Sequence, residues 1–377
     1  MKMKTPKTIP FFLPILPVSL LCACIGSATD SGMPGDGATM TASDGGSDAA
    51  AVDPFAEVDR IAKANAPAVG AFGLAIYGSD DRLLFQKMYG DFAPDRRVAV
   101  ASSSKWISGL ILFRLVTDGK LSLDSTTGTV LGWSGPNAAI TLRQLLSFTS
   151  GLPPDNTCTL NTAIKLADCV AQIEKLTLTA APGARFDYGS THLAVAGRMA
   201  EVVTGKAWND IFAEQLRTPL GLSSAVTYYT LPNQQNGTQN PLVAGGLVIN
   251  MNEYAPLLGL IFRRGMLGGQ RLIRDDLFIE QARTPYPSAV IGESPMQNAG
   301  YPFLYGLTAW LECSTPATGC AVISSPGAYG FTPWVDRNAG YYAIIGTLNT
   351  TSSGKVVKAS IDAAQALKPA IVAALGK

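Results

Sequence analysis

Residues 101–116 read ASSSKWISGLILFRLV, a lysine in front of a strongly apolar run. The run has the spacing of a helix that starts near Lys105 and stops at Thr117-Asp118-Gly119. If Ser102 opens this helix, its hydroxyl and the Lys105 amine lie about one turn apart on the same face. Because the helix behind them is apolar, the sequence predicts that Lys105 is buried.

A buried lysine beside a serine predicts nucleophilic chemistry. Burial favours the neutral amine, which can take the proton of a serine hydroxyl. Of the three serines in the run, only Ser102 has a lysine at this offset. The alternative interpretation of Ser102 is a plain helix N-cap. The same S-x-x-K spacing recurs at Ser352–Lys355 inside a polar turn with a glycine, which favours a solvated loop there.

Strand patterns lie towards both ends of the chain and helical patterns lie between them. An early hairpin is predicted at 69–77 and 83–89, after a helix at 54–64. Later strands are predicted at 304–311, 331–336 and 341–348, before a closing helix at about 356–375. The sequence therefore predicts an α/β (α+β) fold, with one sheet subdomain at about 53–110 and 245–377 and a helical subdomain at about 111–244.

The composition excludes several classes of function. The 377 residues carry 29 basic and 28 acidic side chains. This near-neutral balance gives no broad positive electrostatic potential that would attract nucleic acid. A hydrophobic share of 47% excludes wholesale disorder. The single histidine, His192, rules out a His-rich metal site and is the one histidine that a Ser-His-Asp triad would have.

The first residues resemble a bacterial export signal. Three lysines precede an apolar stretch, 9–21, that is too short to span a bilayer. Leu21-Cys22-Ala23-Cys24 resembles a lipobox, which implies a signal peptide at 1–23 and lipidation of Cys24; the alternative is an ordinary secretory peptide. Residues 24–52 are rich in Gly, Ser, Thr and Ala, and we expect a flexible linker before the folded domain at 53–377.

Four further cysteines lie in two local pairs, Cys158 with Cys169 and Cys313 with Cys320. Export exposes them to an oxidising compartment, so two disulfides are expected. Buried free thiols are the alternative. Zinc binding is disfavoured because the spacings are far wider than C-x-x-C.

A second candidate site is the turn Phe186-Asp187-Tyr188-Gly189-Ser190 ahead of a helix. A lysine ammonium near Tyr188 would lower the pKa of the phenol and make phenolate a possible base. The alternative is a half-buried tyrosine bound to its loop. His192 shares the helix side of Tyr188, so a supporting role is possible, but a satisfied surface or helix histidine is the default.

The ordered series of motifs resembles the class C β-lactamase superfamily, which includes DD-peptidases and family VIII esterases. The resemblance covers about residues 55–370 and implies a β-lactamase/transpeptidase-like fold: an antiparallel sheet flanked by helices from both chain ends, with an inserted mainly helical domain. The motifs that carry it are SSSK (102–105), DGKLSLD (118–124), ITLRQLLSFTSGLP (140–153), PGARFDYGSTHLAVAGRMAEVVTG (182–205) and AGGLVINMNEY (244–254).

The resemblance implies roles for individual residues. Ser102 is the acylated nucleophile, Lys105 its proton partner, and Tyr188 the general base of a Y-x-N motif whose third position here is Ser190. The third motif, K-T-G or H-x-G on an edge strand in the family, best matches Ser325-Pro326-Gly327. The oxyanion hole would then be the amides of Ser102 and Ala328, with Ser190, Ser325 and Gly327 binding substrate.

The departures from the family pattern bear on the substrate. Neither Ser325 nor Ser190 supplies the charge or amide that helps the family bind carboxylates and acylamino groups, although Arg264 or Arg274 remains a possible substitute. The resemblance implies a serine hydrolase that acts on a small-molecule ester or amide without a metal or organic cofactor, and the N-terminal lipobox implies that it is lipid-anchored and exported to the periplasmic or cell-surface side. An esterase is favoured; the alternatives are a D-alanyl-D-alanine carboxypeptidase, a class C-type β-lactamase, or an inactive cell-wall binding protein.

Overall fold

The structure is a computed structural model that describes residues 53–316, 318–351 and 354–377. The predicted signal peptide, Cys24, the linker to residue 52, and Ser352 of the second S-x-x-K lie outside the described residues. None of the helices in the described part of the chain has the length and hydropathy needed to cross a bilayer.

Strands are grouped towards both ends of the described chain, and helices dominate its middle. The helices are α1 (Ala56–Val69), α2 (Ser104–Thr117), α3 (Thr127–Leu131), α4 (Leu142–Leu146), α5 (Leu166–Ile173), α6 (Thr191–Thr204), α7 (Trp208–Phe212), α8 (Met251–Phe262), α9 (Asp275–Gln281), α10 (Pro295–Asn298) and α11 (Gly354–Ala374). The strands are β1 (Phe72–Gly78), β2 (Leu83–Tyr89), β3 (Val98–Ala99), β4 (Arg185–Phe186), β5 (Thr227–Tyr228), β6 (Leu247–Ile249), β7 (Met266–Leu267), β8 (Gln270–Arg271), β9 (Val290–Ile291), β10 (Leu304–Tyr305), β11 (Trp310–Leu311), β12 (Val322–Ser324), β13 (Thr332–Asp336) and β14 (Tyr341–Thr347).

One antiparallel sheet joins the two ends of the domain, in the order β10-β11-β12-β13-β14-β1-β2. β14 therefore pairs with β1, although most of the chain separates them. This confirms the predicted antiparallel sheet with helices on its faces. The middle of the chain is mainly helical and holds α3 to α7.

Successive side chains of a strand point to opposite faces of the sheet, and in the central strands the residues on both faces are apolar. Phe72, Leu74 and Ile76 of β1 pack with α1 and α11, which close one face, while Ala75 belongs to the larger core on the other face. Helices α2 and α8 supply much of that larger core, and twelve of the fourteen residues of α2 are buried. The apolar run at 105–116 is thus central, as its composition predicts.

Two glycines let α8 approach the sheet closely. Gly73 and Gly346 face each other in the register of β1 and β14. A Cβ on either would lie within 3 Å of the Met251 thioether at the start of α8. Alanine at either position would require the Met251 side chain and its neighbour Phe92 to shift, so the two glycines make room for the side chains that pack between α8 and the strands.

The predicted strand at 304–311 is wrong in detail, because the segment folds into a tight hairpin. β10 and β11 pair with each other, and Gly306 N–H donates to the Ala309 carbonyl across the turn at 2.9 Å. Thr308 takes a left-handed φ of 59°, and its N–H is bound by the Leu146 carbonyl at 2.9 Å. This distant acceptor holds the turn, and the local pattern gave no sign of it.

Both predicted disulfides are present in the structure. Cys158 bonds to Cys169, and Cys313 bonds to Cys320. The first ties the loop after the S-G-L-P segment to α5, and the second closes a short loop between β11 and β12.

Candidate active site

Ser102 lies in a sharp turn between β3 and α2. A 3-10 turn spans Ala101–Ser103, and α2 begins only at Ser104, so Ser102 precedes the α-helix instead of opening it. Ala101 adopts a left-handed φ of 45°, which a residue with a Cβ rarely takes. Backbone pairing of Val100 with Leu247 at 3.1 Å holds the turn in place.

Lys105 is buried against this turn, as the apolar helix predicts. The residue is only 5% exposed to solvent. Its Nζ donates to Ser102 Oγ at 3.1 Å and to the Ala244 carbonyl at 2.9 Å. Burial lowers the pKa of the Lys105 amine from 10.5 to about 7, while the charge of Asp155 partly opposes that fall. The amine is therefore substantially neutral near pH 7, with a lone pair available for the serine proton.

Tyr188 covers the other side of the lysine. Lys105 Nζ lies 4.7 Å from the centre of the Tyr188 ring, and the ring stacks on Trp310 at 5.1 Å. Burial raises the pKa of the phenol well above its usual value, although hydrogen bonds with Ser102 and Trp310 counter part of that rise. The prediction that a lysine ammonium lowers the pKa of Tyr188 is wrong. Burial is the largest cause of the pKa shift of both Tyr188 and Lys105, and it favours the neutral form of each. Phenol and neutral amine are the favoured forms.

His192 is a buried structural residue. Its Nε2–H donates to the Asp187 carbonyl at 2.8 Å, and its Nδ1 accepts from the Ser150 hydroxyl at 2.8 Å. Burial lowers the pKa of the imidazole to about 4, and the ring stacks on Phe148. Both ring nitrogens are occupied, so His192 supports the turn that carries Tyr188 and has no free nitrogen to serve as a base.

The third motif reaches the serine from β12, which lies between β11 and β13 and is not an edge strand. Ser325 follows β12, is 3% exposed, and donates through Oγ to the Ser102 carbonyl at 3.3 Å. Ser103 Oγ in turn donates to the Ser325 carbonyl at 2.7 Å. Ser325 therefore fixes the nucleophile turn, instead of presenting its hydroxyl to the cavity as the family resemblance implies.

Two backbone amides meet the chemical requirement for an oxyanion hole. Among the described residues, neither the N–H of Ser102 nor that of Ala328 donates to a protein acceptor. Both residues line one cavity together with Tyr188. Unpaired amides beside a nucleophile can stabilise the negative oxygen that forms when a carbonyl is attacked.

Gly327 fits its position because it has no side chain. A Cβ there would lie 2.1 Å from the Val100 carbonyl oxygen, so the loop would have to shift. We expect Gly327→Ala to displace the adjacent Ala328 amide and lower kcat by about 100-fold, the order of effect of losing one oxyanion donor. Steady-state kinetics and thermal melts test this. Gly354→Ala is the matched control because, among the described residues beyond its own chain neighbours and helix backbone, no atom lies within 4 Å of the added Cβ. An unchanged kcat in Gly327→Ala would contradict the role of this loop.

Ser190 lies at the site, but its hydroxyl is already engaged. Its N–H and Oγ donate to Asp155 Oδ1 at 3.0 and 2.6 Å. Sequence reasoning missed Asp155, Ala244 and Trp310. The last two contact Lys105 and Tyr188. Ala244 opens the quoted AGGLVINMNEY segment and Asp155 closely follows S-G-L-P, so proximity to these motifs was the available signal.

Two cavities of ≈ 350 Å³ each adjoin Ser102. One is lined by Lys105, Ser190, Asn233 and Tyr329 among others, and the second by Tyr188, Asp155, Glu293 and Lys358 among others. Among the described residues, no group of histidine, cysteine, aspartate and glutamate side chains is arranged to hold a metal ion.

The profile of the Beta-lactamase family matches residues 59–368, which include every element of this site. The chain belongs to the Beta-lactamase family. Its fold is that of the serine β-lactamases.

Solved structures share the fold over most of the described domain. A beta-lactamase candidate from Bacteroides dorei is 28% identical, with a TM-score of 0.68 over 82% of this chain and 98% of that chain. EstCE1, a hydrolase with promiscuous acyltransferase activity, is 18% identical, with a TM-score of 0.63 over 82% and 98% of the two chains. At that identity the second similarity shows the fold alone.

Curated relatives match a shorter stretch. Penicillin-binding protein 4 of Amycolatopsis lactamdurans is 34% identical over 135 residues, which are 33% of this chain and 35% of the relative. The chain therefore spans about a third of the length of this relative, and family membership leaves the preferred substrate open.

Proposed function

We propose that this protein is an exported, lipid-anchored esterase that hydrolyses short acyl esters through an acyl-enzyme on Ser102. The observation that carries the proposal is the contact of 3.1 Å between Ser102 Oγ and the buried amine of Lys105. Burial lowers the pKa of that amine to about 7, so about half of the molecules carry it in the neutral form at pH 7, and a neutral amine at hydrogen-bond distance is the proton acceptor that a serine nucleophile needs.

Acylation moves one proton and exchanges one bond. Lys105 takes the Ser102 proton as Oγ attacks the ester carbonyl, and the oxygen that becomes negative is bound by the amides of Ser102 and Ala328. When the tetrahedral intermediate collapses, the carbon–oxygen bond to the alcohol breaks. The departing alkoxide receives a proton from the Lys105 ammonium, directly or through the Tyr188 phenol, whose high pKa keeps it protonated and able to relay.

Deacylation repeats these steps with water as the nucleophile. The neutral amine takes a proton from water, the hydroxide attacks the acyl carbon, and Ser102 Oγ leaves with the proton returned by Lys105. The net reaction consumes one ester and one water and yields one acid and one alcohol, so the site needs no further reactant.

The preference for esters rests on the charges around Ser102. A substrate carboxylate is best bound by a cation, and a charged contact is stronger than a neutral hydroxyl. Ser325 supplies no charge and is buried. Among the described residues that line the two cavities at Ser102, the basic side chains are Lys105, whose amine serves as the base, and Lys358, which donates to Asp362 at 2.9 Å.

Neither arginine considered from sequence supplies the missing charge. Arg264 lines a separate cavity with Arg283 and Arg337, and Arg274 is paired with Asp276. These placements support a neutral substrate over a β-lactam or a D-Ala-D-Ala peptide.

The substrate class is tested by turnover of p-nitrophenyl butyrate, nitrocefin and a D-Ala-D-Ala peptide by the same preparation. We expect kcat/KM for the butyrate to exceed that for nitrocefin by about 100-fold or more, roughly the value of a charged, hydrogen-bonded contact that the site lacks. Equal or faster turnover of nitrocefin would contradict the esterase proposal.

A second candidate function is D-alanyl-D-alanine carboxypeptidase or β-lactamase activity. The match to Penicillin-binding protein 4 favours it, and turnover of the peptide or of nitrocefin above that of the ester would establish it. An inactive cell-wall binding protein is the remaining alternative, and covalent labelling by a fluorophosphonate distinguishes both enzymes from it.

The proposed lipid anchor is tested by replacing the Cys24 thiol with a hydroxyl. We expect wild-type protein to begin at Cys24 and to partition with membranes through its acyl chains, and Cys24→Ser to appear in the soluble fraction. Fractionation and mass spectrometry of the mature N-terminus measure this, with Cys22→Ser as the control. The two disulfides support export because such bonds persist in oxidising compartments. Soluble wild-type protein would contradict the anchor.

A further inference from the structure

Asp155 places a carboxylate in the wall of one cavity that Ser102 and Tyr188 also line. The residue is exposed, and its Oδ1 is fixed by the Ser190 N–H at 3.0 Å and the Ser190 hydroxyl at 2.6 Å. Two donors to one oxygen hold the side chain in position, so the charge is a constant feature of the cavity.

The Asp155 carboxylate puts a hydrogen-bond acceptor where the family's Y-x-N motif, here Tyr188-Gly189-Ser190, offers a donor. By the family pattern, the third residue of that motif offers a side-chain amide to the substrate, whereas Ser190 donates its hydroxyl to Asp155. An incoming acyl group therefore meets a negative acceptor at this position. A carboxylate on the substrate meets repulsion there.

The charge of Asp155 is not cancelled nearby. Among the ion pairs of the described residues, none involves Asp155. Glu293 adds a second carboxylate to the wall of this cavity. Among the described residues that line it, the one lysine is Lys358, which donates to Asp362. The charge of Asp155 raises the pKa of Lys105, in opposition to the larger effect of burial, which agrees with this placement of the carboxylate.

We propose that Asp155 is a specificity-determining residue that selects neutral acyl groups over anionic ones at Ser102. The proposal rests on the proposed esterase function and deepens it, because it names the charge class of the substrate. Ser325 and Ser190 account for a missing attraction for carboxylates, whereas Asp155 adds an active repulsion that a substitution can remove.

The test compares p-nitrophenyl hexanoate with the p-nitrophenyl monoester of adipate, in which a carboxylate replaces the terminal methyl group of the acyl chain. We expect wild-type protein to prefer the hexanoate, and Asp155→Asn to raise the adipate-to-hexanoate ratio of kcat/KM by about tenfold, the order of a single charge interaction in a partly screened site. Because any change in the basicity of Lys105 affects both esters equally, the ratio isolates the contact with the acyl chain.

The control is Asp124→Asn, which removes the same charge from an exposed loop where Asp124 lies near Arg143. We expect it to leave the ratio unchanged. Raising the ionic strength is expected to narrow the wild-type preference, since screening weakens charge repulsion. An unchanged ratio in Asp155→Asn would overturn the proposal, and so would a wild-type preference for the adipate ester, which would assign substrate recognition to Lys358.

A second substrate pair separates this proposal from the esterase proposal. Nitrocefin carries a carboxylate and its methyl ester does not, so their relative rates of acylating Ser102 report charge selection even if lactams are the better substrates. Loss of ester turnover together with rapid lactam turnover would overturn the esterase function alone. Equal acylation by nitrocefin and its methyl ester would overturn the role of Asp155.

Discussion

Replacing Ser102 with alanine is expected to lower hydrolysis by about 10⁴-fold or more, since removal of a nucleophile leaves only binding and oxyanion stabilisation. The Ser102 hydroxyl is the one that Lys105 Nζ contacts, and it lies beside two amides without protein acceptors. Ser103 and Ser104 are adjacent, but their hydroxyls bind the backbone of the Ser325 and Leu247 segments.

The matched control is Ser352→Ala in the second S-x-x-K. That change is expected to leave the rate at the wild-type value. Intact-mass and peptide mass spectrometry after fluorophosphonate treatment should locate one adduct on Ser102 and none on Ser102→Ala. A thermal melt of each variant establishes that the fold is retained. An adduct on another serine, or substantial turnover by folded Ser102→Ala, would contradict the assignment.

Local patterns predicted the central parts of this structure well. The apolar run after Lys105 implies burial, since an amine at the first turn of a core helix has little access to water. Strand patterns at both chain ends implied that the termini build one sheet, and β1 does pair with β14. The two cysteine pairs are each close in sequence, so local spacing predicted their bonds.

Properties that depend on distant contacts were not predictable from local patterns. Ser325 is 223 residues from Ser102, and only the packed sheet shows that its hydroxyl binds the Ser102 carbonyl. Whether β12 lies at an edge depends on β11, a two-residue strand in a hairpin that periodicity merged with β10. The pKa direction of Tyr188 depends on burial among Tyr305, Trp310 and Phe148, which no spacing in its own turn reveals.

The second large effect is expected at Lys105. If its neutral amine is the base, kcat/KM rises with pH and levels off above an apparent pKa of about 7, the value that burial gives the amine. Below that pH the rate falls about tenfold per unit as the amine becomes protonated. Lys105→Met is expected to lose about 10³-fold in kcat/KM and the pH dependence with it. Lys120→Met, an exposed lysine after α2, is the control.

Lys105→Arg tests whether the neutral form of the amine is required, because a guanidinium stays protonated and cannot accept the serine proton at any accessible pH. It is expected to be inactive throughout the range in which wild type is active. A pH-independent wild-type rate from pH 5 to pH 9, or an active Lys105→Arg variant, would exclude the amine as the base and leave Tyr188 as the group to be tested.

Protein stability provides a measurement of the same amine without any substrate. The Lys105 amine has a pKa of about 7 when folded and an ordinary value of 10.5, so between these limits the unfolded chain binds the additional proton. The free energy of unfolding therefore rises with pH in this window, by about 1.4 kcal/mol per unit for a fully shifted group. Urea unfolding of wild type and Lys105→Met between pH 7 and pH 9 measures the difference, in which the other titrating groups cancel. Parallel slopes would mean that the folded amine keeps its proton and that the low activity of the methionine variant has another cause.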